Sequence, residues 1–240
     1  MVKRVILLVC AASVAFAVYS FTLRGGCGTS GAIACPAPEL EQAVGVKLKA
    51  SDVCPRAGYL CNSRKSFQIS RWPLDKGKLR VRVTLPDFLQ DDTARRISDA
   101  VIEGIKVWEG HPFPLIIDTG QFTVRFGDIN VVWSKGLRIE GAVGVAGLNW
   151  WVEGGQIKTS TSNLAVAVPP ETGTDSASLA YVKAVATHEM GHALGLFHSD
   201  RVKDIMYPII GADAKKLRAS ARDFLTVDTL YTLPNGARVQ

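Results

Sequence analysis

Residues 79–85 alternate apolar and polar positions, with Leu79, Val81, Val83 and Leu85 set against Arg80, Arg82 and Thr84. That period of two predicts a half-buried strand, which Pro86 ends. Beyond it the period changes. Ile97, Val101, Ile105 and Trp108 recur at three- and four-residue spacing, the stripe of an amphipathic helix. Asp91, Asp92 and Thr93 offer N-caps for it, and Gly110 closes it. Short strand-like runs follow at 115–117, 122–126 and 129–133. The stretch 141–147 is small and apolar; it leads through Leu148, Asn149, Trp150, Trp151 and Val152 to a turn at Glu153, Gly154 and Gly155. Residues 157–168 read as one alternating strand, with Ile157, Thr159, Thr161 and Asn163 on one face and Lys158, Ser160, Ser162 and Leu164 on the other. A helix capped by Ser176 carries Leu179, Val182, Val185 and Ala186, and a last one spans 220–233 with Phe224, Val227, Leu230 and Tyr231. One helix among strands, then helices at the end, is the order of an α+β domain with a mixed, largely antiparallel-capable sheet.

Composition narrows this picture. At 240 residues, 47% hydrophobic and 21% charged, the chain is no disordered segment, and its length suits one domain with something added. The net charge of +6 has no aromatic-interleaved basic platform behind it, so no nucleic-acid partner is expected. Residues 1–23 read as an export signal, with Lys3 and Arg4 before an apolar run at 5–18 and a small-x-small site at Ala15, Phe16 and Ala17. An uncleaved anchor stays open, because the uncharged run 5–23 is about the length of a spanning helix. Lipidation at Cys27 also stays open, although Arg24 makes a poor lipobox. The expected location is secreted, periplasmic or cell-envelope, with membrane contact only through such an anchor or lipid. Residues 24–66 form a short cysteine-containing region, and 67–240 the main domain. Cys27, Cys35, Cys54 and Cys61 remain after signal removal; an even count suggests two disulfides, with three connectivities, of which neighbour pairing is simplest.

Histidine is scarce, yet His188, His192 and His198 fall within eleven consecutive residues. On a helix His188 and His192 share one face, about 6 Å apart along the axis. Two neutral imidazoles so placed can take adjacent corners of a zinc tetrahedron. Glu189 is displaced from that face, where a carboxylate can hydrogen-bond metal-bound water instead of ligating. Gly195 can end the helix in a left-handed conformation, so that His198 returns with a third nitrogen. Three protein ligands plus water is the open arrangement of a catalytic zinc, and one such ion is expected.

The series His188, Glu189, His192, Gly195 and His198, at these offsets, resembles the zinc signature of the metzincin metallopeptidases. Asp204, Ile205, Met206, Tyr207 and Pro208 resemble their Met-turn. Ser199 after the third histidine, and Met206 eight residues beyond His198, are similar to the matrixins, the matrix-metalloproteinase-like peptidase M10 family. Softer likenesses, at Arg71 and Trp72, the helix ending near Trp108, 155–164 and the last helix, spread over 67–233. The resemblance implies a metzincin or zincin-like α+β catalytic domain: a twisted mixed five-stranded sheet, three helices, and an active-site helix carrying the HExxH motif. It implies zinc on His188, His192 and His198, with Glu189 as general base towards zinc-bound water and then proton donor to the leaving amine. Met206 would form a floor under the metal, and Tyr207 and Pro208 the wall of the pocket for the residue after the cleaved bond. Ala146, Gly147 and Leu148, with Val145, would lie where an edge strand pairs with substrate backbone.

The implied activity is that of an exported zinc endopeptidase on protein or peptide substrates, expected as a monomer. The alternative is a secreted or envelope-anchored binding protein with the same fold and little turnover. Some features depart from the family. Only His111 is left for the second, structural zinc of vertebrate matrixins. Calcium is left possible by Asp118, Asp128 and Asp175, without a clear motif. Cys54, Pro55 and Arg56 superficially resemble a prodomain cysteine switch in a different order; a disulfide to Cys61, favoured here, would remove the thiol. Trp150 and Trp151 would border the cleft or serve as simple strand aromatics.

Overall fold

The computed structural model describes residues 44–62, 66–120, 127–136, 143–168, 172–211 and 214–240. The expected signal at 1–23, Cys27, Cys35 and the run 122–126 lie outside the described residues. Five strands build the main sheet: β3 (Leu79–Arg82), β4 (Leu115–Asp118), β5 (Ile129–Ser134), β6 (Gly144–Ala146) and β9 (Ser162–Ala167), in the order β4-β3-β5-β9-β6. β4, β3, β5 and β9 are mutually parallel, and β6 alone runs antiparallel, on β9. The sheet is therefore mixed but mainly parallel, against the largely antiparallel character that element order suggests. The reason lies in the connections: α2 (Asp91–Ile105) separates β3 from β4, and a helical crossover returns the chain in the same direction.

The expected single strand at 157–168 is two. β8 (Gln156–Thr159) pairs with β7 (Trp150–Glu153) in a separate hairpin, and β9 joins the main sheet. The buried phase flips between them. Ile157 is buried in β8, whereas Ser162, Leu164 and Val166 are buried in β9. Period-two reasoning carries one phase through a stretch, so it cannot see a flip at Ser160 and Thr161.

Behind the sheet, α2 packs against α3 (Ser176–Ala193). Ile97, Val101 and Ile105 are completely buried, as their helical spacing predicts. Gly104 allows the close approach: a Cβ there would stand 2.5 Å from the Lys183 carbonyl oxygen and 3.0 Å from the Ala186 Cβ. From Ala184 to Gly191 α3 is buried all round, because it lies between α2 and the sheet. Trp108 completes this core and donates from Nε1 to the Thr187 carbonyl at 2.8 Å.

Residues 44–62, which include the short helix α1 (Ala50–Val53), are built into the same body. β1 (Lys47–Leu48) and β2 (Phe67–Gln68) flank β10 (Arg238–Val239) in a small three-stranded sheet. Cys54 and Cys61 form a disulfide, and Tyr59 between them is fully buried against α4 (Ala221–Thr232). No helix among the described residues is long and apolar enough to cross a membrane.

Candidate active site

α3 delivers the first two histidines, and both its ends are specified locally. Asp175, not Ser176, is the N-cap: its Oδ1 accepts from Ala177 N at 2.7 Å and Ser178 N at 3.2 Å. The Ser178 hydroxyl and these amides hold its carboxyl down at about 2. At the other end Gly195 takes a φ of 102°. Gly195 N donates to the His192 carbonyl and Leu196 N to the Gly191 carbonyl, the paired bonds of a Schellman motif. Trp72 Nε1 and the Tyr231 hydroxyl satisfy the carbonyls of Ala193 and Leu194, each at 2.9 Å. The chain then turns back to bring His198 to the other two rings.

Hydrogen bonds orient the rings. His188 Nδ1 lies 2.8 Å from the Ile205 carbonyl oxygen, and His192 Nδ1 lies 2.8 Å from that of Leu196. A carbonyl only accepts, so each Nδ1 carries the proton and each neutral ring keeps its lone pair on Nε2. Burial pushes His188 down to about 4, with His198 adding to the effect, and takes His192 to about 3, with His188 adding. His198 is exposed but is also lowered by partial desolvation. All three rings are thus neutral near pH 7, the form that binds metal.

The Nε2 atoms converge. His192 Nε2 stands 3.1 Å from Nε2 of both His188 and His198. The His188 and His192 lone pairs at that distance repel one another unless a cation lies between them. Two ligands of a tetrahedral zinc, at about 2.0–2.1 Å from it, stand about 3.3 Å apart. Among the described residues, Oε2 of Glu189 is a buried side-chain oxygen without a hydrogen-bond partner. Three neutral imidazoles and an unpartnered carboxylate oxygen next in sequence are a donor set that fits zinc.

Glu189 is 5% exposed, and burial raises its carboxyl to about 8, opposed by a hydrogen bond from Ala146 N. A neighbouring cation would draw that value back down. Its carboxylate lies against Gly144, where a Cβ would collide with Glu189 Oε1. Sequence reasoning does not single out Gly144. The available signal is a glycine two residues ahead of the expected edge strand residue Ala146.

Met206 is fully buried and sits against α3 at Gly191, where a Cβ would collide with its sulfur. The turn that carries it is anchored twice. Ser199 N donates to the Met206 carbonyl at 2.8 Å, and Asp223, wholly buried, accepts from Ile205 N at 3.0 Å and Met206 N at 3.4 Å. Asp204 joins the Ser199 hydroxyl, the Ser220 hydroxyl and the Arg222 guanidinium in an adjoining network.

Tyr207 is half-buried and Pro208 exposed, both directly after Met206. Ala146 ends β6, the edge of the sheet, and Gly147 and Leu148 follow that strand. The Gly147 carbonyl accepts from the Ser162 hydroxyl. Trp150 and Trp151 belong to the β7–β8 hairpin, with Trp151 exposed. His111 stands apart from the cluster, stacked on Phe224 and 3.0 Å from Asp228. The acidic residues considered for calcium have protein partners: Asp118 the Arg80 guanidinium, Asp128 Lys76 and Arg80 N, and Asp175 its helix cap.

A mixed sheet, a buried helix with two histidines, a third histidine beyond a glycine turn and a methionine beneath define a domain of the metzincin type. The profile of the matrixin family (peptidase M10) matches residues 86–232, and this chain belongs to that family. Matrixins are zinc metalloendopeptidases as a class. Cat matrilysin is 47% identical over 49 residues, which cover 20% of this chain and 19% of that protein. Metalloendoproteinase 4-MMP of Arabidopsis thaliana is 31% identical over 114 residues, 47% of this chain and 32% of that protein. Rat macrophage metalloelastase is 42% identical over 65 residues, 27% of this chain and 14% of that protein. The aligned part thus spans about a third or less of the length of these relatives.

Proposed function

We propose that this chain is an exported zinc endopeptidase, with His188, His192 and His198 holding one zinc ion and Glu189 acting as general base. The observation that carries the reading is the convergence of three neutral ring nitrogens, with a buried, unpartnered carboxylate oxygen on the residue after the first. When bound, zinc supplies Lewis acidity, which acidifies a water and polarises a carbonyl.

The residues of the chain do the rest. Glu189 takes a proton from the attacking water as its oxygen adds to the scissile carbonyl carbon. The C–N bond then breaks as that proton passes from Glu189 to the leaving nitrogen, giving a carboxylic acid and an amine. Ala146 N and the bare backbone of Gly144 hold the carboxylate in place. The outer edge of β6 presents backbone groups to which an extended peptide can add as a further strand. Ala146, Gly147 and Leu148 supply that edge in this reading. Tyr207 and Pro208 wall the pocket beyond the scissile bond, and Met206 floors the metal.

Export is supported by the composition of residues 1–23 and by the Cys54–Cys61 disulfide, since such bonds persist in oxidising compartments. The test is metal analysis together with cleavage of a peptide library. We expect one zinc per chain and chelator-sensitive cleavage. Glu189→Ala should keep the zinc and lose about 10²–10⁴-fold in rate. Zinc-loaded, folded protein that cleaves nothing would replace the peptidase by a binding protein.

A further inference from the structure

The disulfide loop closed by Cys54 and Cys61 lies before residue 86, outside the part matched by the family profile, and the chemistry above makes no use of it. It nevertheless reaches the metal site through three contacts. The Tyr59 hydroxyl donates to Asp223 Oδ1 at 2.9 Å. The same carboxylate accepts from Ile205 N and Met206 N in the Met-turn. The Ile205 carbonyl, in turn, accepts from His188 Nδ1 at 2.8 Å.

The Asp223 carboxylate has about four lone-pair sites. Ile205 N and Ser220 N serve Oδ2 at 3.0 and 2.7 Å. Tyr59 and Met206 N serve Oδ1 at 2.9 and 3.4 Å, so the phenol is the short donor to that oxygen. Without it, Oδ1 keeps a long bond in a fully buried place, and the carboxylate is free to rotate towards new partners. The Met-turn backbone would follow, and the His188 ring with it.

The loop is shaped to present this hydroxyl. Tyr59 N donates to Thr226 Oγ1 at 3.3 Å, and the Arg222 guanidinium covers the ring at 5.2 Å. Gly58, at a φ of 59°, lies so close to α4 that a Cβ would collide with Thr226 Oγ1. Burial and the neighbouring Asp223 carboxylate push the phenol far above its ordinary pKa, so it remains a donor.

We propose that Tyr59, held out by the Cys54–Cys61 loop, is a positioning residue for the metal centre, fixing His188 through Asp223 and the Met-turn backbone. The proposal rests on the zinc reading above. Its test is zinc affinity, measured by chelator competition on the full chain. Tyr59→Phe keeps the ring and removes the donor; it should weaken zinc binding about tenfold, as loss of an orienting partner does. It should also shift the visible bands of the cobalt-substituted protein. Val81→Ala, a cavity variant in β3 with comparable loss of stability, should change neither. Folded Tyr59→Phe protein with wild-type affinity and cobalt spectrum would overturn the proposal. If that variant does not fold, the Cys54→Ser, Cys61→Ser double variant carries the test: it keeps the hydroxyl but frees the loop, and unchanged affinity overturns the proposal. Wild-type protein that binds no zinc would instead sink the parent reading.

Discussion

Gly144 places Glu189 by what it lacks. The carboxylate fills the space a side chain would take, held from the other side by Ala146 N. Gly144→Ala should therefore displace the Glu189 carboxylate, the proposed base, without touching a histidine. We expect peptidase rate to fall roughly ten- to hundredfold, within the range that general-base positioning accounts for. Zinc content measured on the same preparation should stay at the wild-type level. Equal rates for variant and wild type would show that Glu189 works from another position. The residues of this site differ in how far the sequence shows them. His188, Glu189, His192 and His198 are legible because helix periodicity and one glycine turn fix their relation within eleven residues. Gly144, Tyr59 and Asp223 are not. Their roles depend on contacts between segments 45 and 164 residues apart, and a small residue, a tyrosine and an aspartate have no spacing to announce them.

The site helix depends on its two ends, and each makes its own prediction. Asp175 is exposed, and its carboxyl is held at about 2 by the Ser178 hydroxyl and the first amides of α3. A depressed folded-state value means a contribution present above the unfolded value near 3.9 and lost as pH falls through about 2. Asp175→Ala should thus lower the melting temperature at pH 7. The gap from wild type should narrow between about pH 4 and pH 2. A gap independent of pH would mean that the side chain does not act as a charged cap. At the C-terminal end, Gly195→Ala meets two obstacles. The φ of 102° is one that L-residues rarely adopt, and the new Cβ would stand 2.8 Å from the Ser70 carbonyl oxygen. A loss of roughly 1–3 kcal/mol in urea unfolding is expected, with weaker zinc binding because the turn aims His198. Gly195 is readable as a helix stop, since its φ is a local matter. The N-cap is one residue earlier than the sequence suggests, because Asp175 and Ser176 are both good capping residues and only the backbone geometry chooses between them. The strand phase at 157–168 is not readable, because a flip between two sheets is set by partners and not by the stretch itself.

At the scale of the molecule, the N-terminal cysteine-bearing stretch is tied to the catalytic body at two separate places. One is α4, through Tyr59, Gly58 and Arg56. The other is β10, which pairs in parallel with β1 and antiparallel with β2, so that the two ends of the described chain share a sheet. Val239 is the apolar centre of that sheet at 1% exposure, with Ala237 at 0% beside it. Residues 24–66 differ in composition from the rest of the chain, being rich in glycine, proline and cysteine, yet the packing of 44–62 does not respect that division. Burial of Val53, Tyr59 and Leu60 requires α4 and the C-terminal strand to be present, and these fold only with the rest of the core. Unfolding should therefore be one cooperative event. Val239→Ala removes two buried methyl groups and should cost roughly 2 kcal/mol. It should shift the whole urea transition without splitting it. Tryptophan fluorescence, which reports the main core through Trp72 and Trp108, and protease cleavage within 44–62 should move together. Cleavage in 44–62 at urea concentrations where the tryptophan signal is still native would show the stretch to be a separate unit. Tyr59 could then not be relied on to brace the metal site.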